Sequence, residues 1–474
     1  MNLGDFEGQY KYRPVWIITA LGLVLRSYHY LRNPAMWHDE AATVLNVLRK
    51  GFAGLLGPLY VSGTGPPLFL WLQKCAVICL GDSTYALRLV SFLASCAALL
   101  MMAALVRLLL KPAPAAACIL LVACSDRLLW HAAEARHYSS DALIAGGLIL
   151  FFVLSRKWKL ESRVLCFTCA APFITFASYP GIFLLGGAAI AFFVVLLREE
   201  ERAWIALILL GLSTAGAFLV LFFTTASAQR TPALDAAWVH AFPDWHHPTG
   251  VPLWFIRSSV SVVDYLTRPV GGVLILVACI GAVSWWRVDR ELVLFLLAPV
   301  ALAATAGLID AYPYTGARTM VFAMPAIVLL IGFGIQRAIQ WIAGSQRRGW
   351  LAGSAIALPV FATLIFSIYR IWVPWPRADT SGAAAYVLEH RTGTEPVTAN
   401  HWEYEYYFRK LDGSFYPDLR LLQEEHVPPH YWIVLTSSDP AFPATVVKTL
   451  YDTRVLERKE FFRTTVMLVT RETN

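Results

Sequence analysis

Charged side chains are scarce in this chain, and their scarcity limits the class of protein it can be. Only 15% of the 474 residues are Asp, Glu, Lys or Arg, while 57% are hydrophobic. Soluble domains carry about 25% charged residues, which a fold of this length needs to cover its surface. The net charge of +7 comes from basic residues in short loops between apolar runs, where membrane proteins place them. The composition therefore excludes a soluble enzyme or a nucleic-acid-binding protein and predicts an integral membrane protein.

Other missing features narrow the class further. No Cys follows Cys279, so we expect neither disulfides nor a cysteine metal site in the C-terminal part. The sequence shows no internal repeat and no low-complexity tract. No small-residue cleavage site follows the first apolar run, so we expect this run to be a membrane anchor and not a signal peptide.

Apolar runs that are long enough to cross lipid, or nearly so, recur along most of the chain. A spanning helix needs about 20 apolar residues, because lipid offers no partners to free backbone groups. The pattern predicts about eleven spans, near 14–31, 85–106, 113–130, 141–154, 164–177, 182–197, 203–223, 270–286, 291–308, 319–336 and 350–371.

The stretch 66–80 is also apolar, but we expect it to lie at the membrane surface. Counting it as a span would place the basic loops at 107–111 and 155–163 outside, against the positive-inside rule. Lys74 in its middle suits an interfacial helix. With this assignment the N-terminus is cytoplasmic, and residues 32–84 form a long first external loop.

The sequence becomes polar after the last predicted span. Residues 372–474 are predicted to form an external α/β domain, and residues 1–371 the transmembrane module, with a second external loop at 224–269. Within the domain, the pattern favours helices at 382–391 and 401–410 and strands at 430–436 and 464–470.

Ionisable residues near the membrane are candidates for function, because each costs about 2.5–3.5 kcal/mol to insert. The first cluster is WHDEA at 37–41, where Asp39 and Glu40 open a helical pattern. A helix cap with favourable dipole charges explains the two acids. A carboxylate that acts as a general base explains them equally well.

Three further clusters lie on the predicted external side. Arg88 ends GDSTYALR at 81–88 and either snorkels to the interface or pairs with a lipid phosphate. EARHYSSD at 134–141 is a solvated hairpin or, as we prefer, the lining of a substrate cavity. Arg318 ends a segment whose tyrosines suit the aromatic belt of a membrane protein. The histidines at 131 and 137 lack the spacing of metal ligands.

The order WHDEA, GPPLFLWL, GDSTYALRLVS and EARHYSSDA resembles the polytopic glycosyltransferases of family 39 and their bacterial relatives. These include protein O-mannosyltransferases, aminoarabinose transferases and galacturonosyltransferases of lipopolysaccharide core assembly. The resemblance covers roughly residues 14–200 and the segment YTGARTMVFAMP at 314–325. It implies a C-type glycosyltransferase fold, which is a mainly α transmembrane bundle with a small C-terminal α/β domain outside the membrane.

The resemblance also implies roles for individual residues. Asp39 matches the catalytic base, with Glu40 beside it. Arg88 and Arg318 match basic residues of the family and would hold the donor phosphate, and Arg136 is a reserve candidate on chemical grounds. Asp141 matches an Asp of the family's second external loop, and we expect it to shape the sugar site with His137 and Tyr138, while Tyr314 is a further substrate-binding candidate. Relatives commonly carry His before Pro-Pro, where this chain has Gly65. No cofactor or metal ligand is expected, and no residue pattern indicates a divalent cation.

The resulting hypothesis is an inverting glycosyltransferase of the bacterial inner membrane whose C-terminal domain is periplasmic. Its donor is a sugar on a polyprenyl phosphate, and its acceptor is a lipid, a glycan or a protein. A transporter or lipid flippase is the main alternative, although such proteins often show inverted repeats and no two halves match here. A non-catalytic membrane scaffold that presents the terminal domain is the second alternative.

Overall fold

The computed structural model describes residues 11–199, 203–269, 271–342, 346–411, 413–423, 429–449 and 453–471. The chain divides into two compact units. The first unit comprises Met1–Arg32, Phe52–Pro58 and Thr64–Val373. The second unit comprises Asn33–Gly51, Leu59–Gly63 and Pro374–Asn474, so it includes part of the predicted first external loop. The domain limits expected from the sequence, at 371 and 372, stay a prediction.

The described helices follow one another along the chain, and many of the connections between them are short. In chain order they are α1 Arg13–Leu31, α2 His38–Arg49, α3 Pro67–Leu80, α4 Thr84–Leu109, α5 Pro112–Cys124, α6 Asp126–Ala132, α7 Tyr138–Leu154, α8 Leu160–Ala177, α9 Gly181–Glu199, α10 Trp204–Leu221, α11 Ser227–Gln229, α12 Pro232–Trp238, α13 Val251–Thr267, α14 Leu274–Trp286, α15 Arg290–Leu308, α16 Met324–Ile342, α17 Gln346–Trp372, α18 Thr380–His390, α19 Glu403–Tyr407 and α20 Phe442–Thr449.

Seven helical segments within the described ranges are long and apolar enough to cross a membrane, and the bent pair α5 and α6 makes eight if it is one span. The predicted count of about eleven is not confirmed. Two other apolar regions form the shorter helices Pro67–Leu80 and Gly271–Trp286, and Ala357–Trp372 is an apolar part of α17. The 14 residues of α3 extend only about 21 Å, whereas the hydrocarbon core is about 30 Å thick.

The bend between α5 and α6 measures 53° and lies at Ser125. Arg26 of α1 is buried there and donates hydrogen bonds to the carbonyl oxygens of Val122 at 3.1 Å and Ala123 at 3.2 Å. Its Nε donates to Oγ of Ser95 on α4 at 2.9 Å. The last carbonyls of a helix have no partner within the helix. Arg26 therefore satisfies the end of α5 and joins three helices at the bend.

Helices α14 and α16 approach each other at two glycines. A Cβ at Gly281 would lie 1.9 Å from the carbonyl oxygen of Leu330, and a Cβ at Gly334 would lie 1.9 Å from that of Val277. Small residues of this kind let the backbones of membrane helices touch. Packing between helices of the first unit therefore depends on glycines, which have no side chain, as well as on large apolar residues.

The C-terminal part forms a five-stranded mixed sheet with strand order β2-β1-β3-β5-β4. Strand β1 pairs in parallel with β2 and β3, while β5 pairs in antiparallel fashion with β3 and β4. The strands are β1 Val397–Ala399, β2 Phe415–Tyr416, β3 His430–Thr436, β4 Thr453–Phe461 and β5 Thr464–Arg471. Both predicted strands are present, whereas β4 has no counterpart among them.

The central strand β3 is hydrophobic and buried from Tyr431 to Leu435, and both of its faces are covered. Trp432 and Val434 belong to one apolar cluster with residues of α18 and α19. Tyr431 and Ile433 belong to a second cluster with Val446 of α20. Strands buried on both faces read as continuous apolar runs. The predicted fold class, a mainly helical membrane bundle with a small C-terminal α/β domain, is confirmed.

Candidate active site

Helix α4 of the first unit carries Arg88 on a buried face. Ser91 lies three residues later on the same face, and its Oγ donates a hydrogen bond to the carbonyl oxygen of Arg136 at 2.8 Å. Both Arg88 and Ser91 are buried, and α4 packs against α7. The loop before α7 is therefore fixed to the helix that carries Arg88.

Two predicted phosphate ligands meet around the ring of Tyr138, at the start of α7. Nη2 of Arg136 donates to the Tyr138 hydroxyl at 2.9 Å, and its guanidinium carbon lies 5.4 Å from the ring centroid. The guanidinium carbon of Arg318 lies 6.0 Å from the same centroid and 5.6 Å from the ring of Trp238. Arg318 opens a 3-10 segment, Arg318–Ala323, that packs against α7. We call Arg136 and Arg318 the arginine pair.

Asp141 lies in the first turn of α7, where a helix dipole favours a carboxylate. Its Oδ1 accepts a hydrogen bond from Oγ of Ser178 at 2.6 Å, and its Oδ2 lies 3.6 Å from Nε2 of His137. The His137 ring lies 4.5 Å from the ring of Tyr138 and 5.9 Å from that of Phe69. Three of the four predicted sugar-site residues are thus neighbours of the arginine pair. The fourth, Tyr314, instead bonds Ser259 at 2.9 Å and packs on α13.

A second buried network lies beside the arginine pair, and sequence reasoning did not predict it. Nδ1 of His131 lies 2.6 Å from Glu134, and Nε2 lies 2.8 Å from the hydroxyl of Tyr265. The other oxygen of Glu134 accepts from the indole of Trp130 at 2.9 Å. Both nitrogens of His131 are therefore occupied by protein partners. No group of three or more His, Cys, Asp or Glu side chains within the described ranges is arranged to hold a metal ion.

Gly65, which stands where relatives commonly have His, is held through its backbone. Its N–H donates to Oε1 of Gln229 at 3.1 Å. The hydroxyl of Tyr179 lies 2.9 Å from its carbonyl oxygen and 2.6 Å from the same Gln229 oxygen. Gln229 comes from the predicted loop 224–269, so this loop anchors the Gly-Pro-Pro segment.

The two acids of the predicted base motif have different environments in the second unit. The Asp39 side chain is 22% exposed, and its Oδ1 lies 3.4 Å from Nε2 of His38. The Glu40 side chain is completely buried, and its Oε2 lies 3.5 Å from Nη1 of Arg377. Asp39 is therefore accessible, while Glu40 belongs to a buried ion pair. The adjacent positions in the sequence contain no signal for this difference.

The start of α2 also contacts residues after β1. The indole N–H of Trp402 donates to the carbonyl oxygen of His38 at 2.7 Å. Further along α2, Arg49 forms an ion pair with Glu405 of α19. Tyr60 donates to the same carboxylate at 2.9 Å. The helix that carries Asp39 is thus attached at both ends to the C-terminal part of the second unit.

No protein-family model matches this chain, and no curated protein matches it in sequence. Its fold is similar to solved structures of ArnT from Cupriavidus metallidurans. The apo structure has 14% identity and a TM-score of 0.56, and the match covers 96% of this chain and 97% of that one. The structure bound to undecaprenyl phosphate has 13% identity, a TM-score of 0.57 and the same coverage.

The chain is also similar to the archaeal oligosaccharyltransferase AglB from Archaeoglobus fulgidus in complex with an inhibitory peptide and a dolichol-phosphate. That match has 11% identity and a TM-score of 0.50, and covers 90% of this chain and 70% of that one. At these identities the likeness shows the fold. The chain is a multipass membrane protein with the C-type glycosyltransferase fold, as the resemblance of its motifs predicts.

Proposed function

We propose that this protein transfers a sugar from a polyprenyl-phosphate carrier to an acceptor on the external face of the bacterial inner membrane. The observation that carries the proposal is the arginine pair around Tyr138. A guanidinium presents its N–H groups as a planar fork that matches phosphate oxygens. The aromatic rings beside the two groups restrict their orientation and contribute cation–π attraction.

The fold supports a phosphate on a long lipid as the ligand. ArnT, which shares the fold over most of this chain, was solved with undecaprenyl phosphate, and AglB with dolichol-phosphate. Such a lipid carries its phosphate at the membrane surface while its chain stays in the bilayer. A helical bundle with arginines at the start of one of its apolar helices suits both parts of that molecule.

In the proposed reaction, Asp39 takes the proton from a hydroxyl of the acceptor. The hydroxyl oxygen attacks the anomeric carbon of the sugar as the bond from that carbon to the carrier oxygen breaks. The carrier phosphate leaves with the electron pair, and Arg88, Arg136 and Arg318 stabilise its charge. A single displacement inverts the configuration of the anomeric carbon.

The remaining predicted residues act around this step. Glu40 pairs with Arg377 and orients the start of α2, so the base is Asp39 rather than its neighbour. His137, Tyr138 and Asp141 shape the sugar site, whereas Tyr314 packs on α13. The acceptor is a lipid, a glycan or a protein, and the C-terminal domain lies on the same external side.

The test uses the full chain purified in detergent. Mass spectrometry of the lipids that co-purify with it identifies the carried sugar, and that glycolipid then serves as the donor. We expect Asp39→Asn to lower turnover by about a hundredfold or more, the usual contribution of a general base. Asp439→Asn is the matched control, because Asp439 is an exposed acid of the C-terminal part.

If Asp39→Asn transfers sugar at the rate of the control, the catalytic assignment is wrong. Movement of the glycolipid across a vesicle membrane with no transfer of its sugar would support a flippase instead.

A further inference from the structure

The residue before the proposed base is held by consecutive residues of the C-terminal part. Trp402 donates its indole N–H to the His38 carbonyl at 2.7 Å, and the rings of the two residues meet edge to face at 6.0 Å. The His401 ring lies 6.5 Å from the His38 ring. Any movement of this segment therefore reaches the first turn of α2, where Asp39 lies.

Glu403 is a buried acid that the proposed reaction does not use. Its side chain is 3% exposed, and its Oε2 lies 3.7 Å from Nδ1 of His401. Neither of these two atoms has a hydrogen-bond partner among the described residues. A buried polar atom without a partner costs free energy. The two atoms face each other, and a small decrease in the distance between them would let them share one proton.

The surroundings favour the neutral acid and the neutral imidazole. Burial raises the pKa of Glu403 to about 7. Burial lowers the pKa of His401, electrostatic interaction with His38 lowers it further, and Asp418 opposes this. A protonated Glu403 can donate to Nδ1 of a neutral His401, which gives both buried atoms a partner.

Other charged groups near the pair are already engaged. They are Glu405, paired with Arg49 and Tyr60; Glu40, paired with Arg377; and His38, beside Asp39. Asp418 lies in the 3-10 segment Pro417–Gln423, and Tyr404 follows Glu403 on α19. Because the pKa of Glu403 is about 7, the proton between His401 and Glu403 changes near neutral pH.

We infer that His401 and Glu403 share one proton and act as positioning residues for Asp39, through Trp402 and His38. While the pair holds its proton, Trp402 stays bonded to the His38 carbonyl and the first turn of α2 is fixed. When the proton is lost, an ionised Glu403 draws water into the site, and the bond between Trp402 and His38 weakens. This inference assigns a role to the C-terminal part and rests on the proposed function of Asp39.

The first test measures hydrogen–deuterium exchange of the peptide that covers α2 in the full chain, corrected for intrinsic exchange rates. We expect exchange of the amides at 41–44, which bond to the carbonyl oxygens at the start of the helix, to rise about tenfold between about pH 6 and 8.5, as local opening becomes easier. Glu403→Gln should abolish the rise, because its amide donates to His401 at every pH. Trp402→Phe, which keeps an aromatic ring without the N–H, should exchange fast throughout. Asp439→Asn should behave like the parent chain.

A pH step of equal size in Glu403→Gln, or no step in the parent chain, would overturn the inference. If Glu403→Gln does not fold, Trp402→Phe still tests the inference, because slow exchange in Trp402→Phe would contradict the proposed contact between Trp402 and His38.

The second test is the pH profile of sugar transfer from the co-purified glycolipid. We expect kcat of the parent chain to fall above about pH 7 with little change in KM for the donor. In Glu403→Gln this fall should begin at a higher pH. If Asp39→Asn is inactive while kcat of Glu403→Gln falls at the same pH as that of the parent chain, the positioning role is wrong and the proposed function stands. If Asp39→Asn is active, the proposed function fails, and only the exchange data then test the contact between Trp402 and His38.

Discussion

Glu40 and Arg377 form a buried ion pair in which Oε2 of the acid lies 3.5 Å from Nη1 of the arginine, with side chains 0% and 4% exposed. The first residue comes from the predicted first external loop and the second follows α17. Arg377 also donates to the carbonyl oxygen of Ala35 at 3.3 Å. The pair therefore joins two distant parts of the chain within the second unit.

Removal of one partner of this buried ion pair should destabilise the folded protein strongly. Arg377→Ala leaves the Glu40 carboxylate buried without its cation, which costs about 3–5 kcal/mol in buried pairs. We expect a clearly lower thermal unfolding temperature of the full chain in detergent. Arg420→Ala is the control, because that arginine and its partner Asp418 are both exposed. Equal unfolding temperatures for the two variants would contradict the structural role of the pair.

The arginine pair should set the affinity for the donor. A hydrogen bond to a charged group contributes about 1.5–3 kcal/mol, so Arg318→Ala should raise KM for the co-purified glycolipid by about 10- to 100-fold. Arg318→Lys should be intermediate, because Lys keeps the charge without the planar fork. Arg230→Ala, which removes an exposed arginine paired with Asp235, should leave KM unchanged. A normal KM in Arg318→Ala would exclude it from the donor site.

The buried acid Glu403 should make stability depend on pH. Its pKa is raised from 4.5 to about 7 in the folded chain. Between these values the folded state keeps a proton that the unfolded chain has lost, so stability falls as pH rises through this range and then levels off. Glu403→Gln removes this loss of up to about 3 kcal/mol. It should therefore unfold at a higher temperature than the parent chain at pH 8, with the gap closing near pH 4.5.

Arg26 should be needed for the bend between α5 and α6. Arg26→Leu leaves the carbonyls of Val122 and Ala123 without donors, at about 1–3 kcal/mol for each buried group. We expect a lower unfolding temperature and faster proteolysis near the bend. Arg26→Lys should recover part of the loss, since its ammonium group can reach one carbonyl. Full stability of Arg26→Leu would show that the bend does not depend on this contact.

Periodic apolar patterns predicted much of the fold, and the errors have physical causes. Strand β3 was predicted at its observed limits because both of its faces are buried. Strand β4 was missed because it is an exposed edge strand with alternating charges, which has little apolar pattern. The count of about eleven spans treats short and bent helices as full crossings, which hydropathy alone cannot distinguish.

The sequence located candidate residues better than it located their partners. Arg136 and Arg318 were singled out from separate motifs, and the structure brings them to one ring, although their role stays a prediction. Nothing in the pattern at 37–41 revealed that Glu40 pairs with Arg377 or that Trp402 bonds to His38. Such contacts join residues far apart in sequence, so local periodicity contains no trace of them.

The attachment of α2 to residues after position 373 has a consequence for biosynthesis. Helix α2 leaves the ribosome early, whereas Arg377, Trp402 and Glu405 are made only after every membrane helix. At about 5–20 residues per second, the interval is roughly 20–70 s. During that time Arg377, which pairs with Glu40 in the folded chain, has not yet been made. The segment that carries the proposed base is therefore among the first to be translated, while its contacts with Arg377, Trp402 and Glu405 form last, and we expect a chain truncated before Pro374 to lack them.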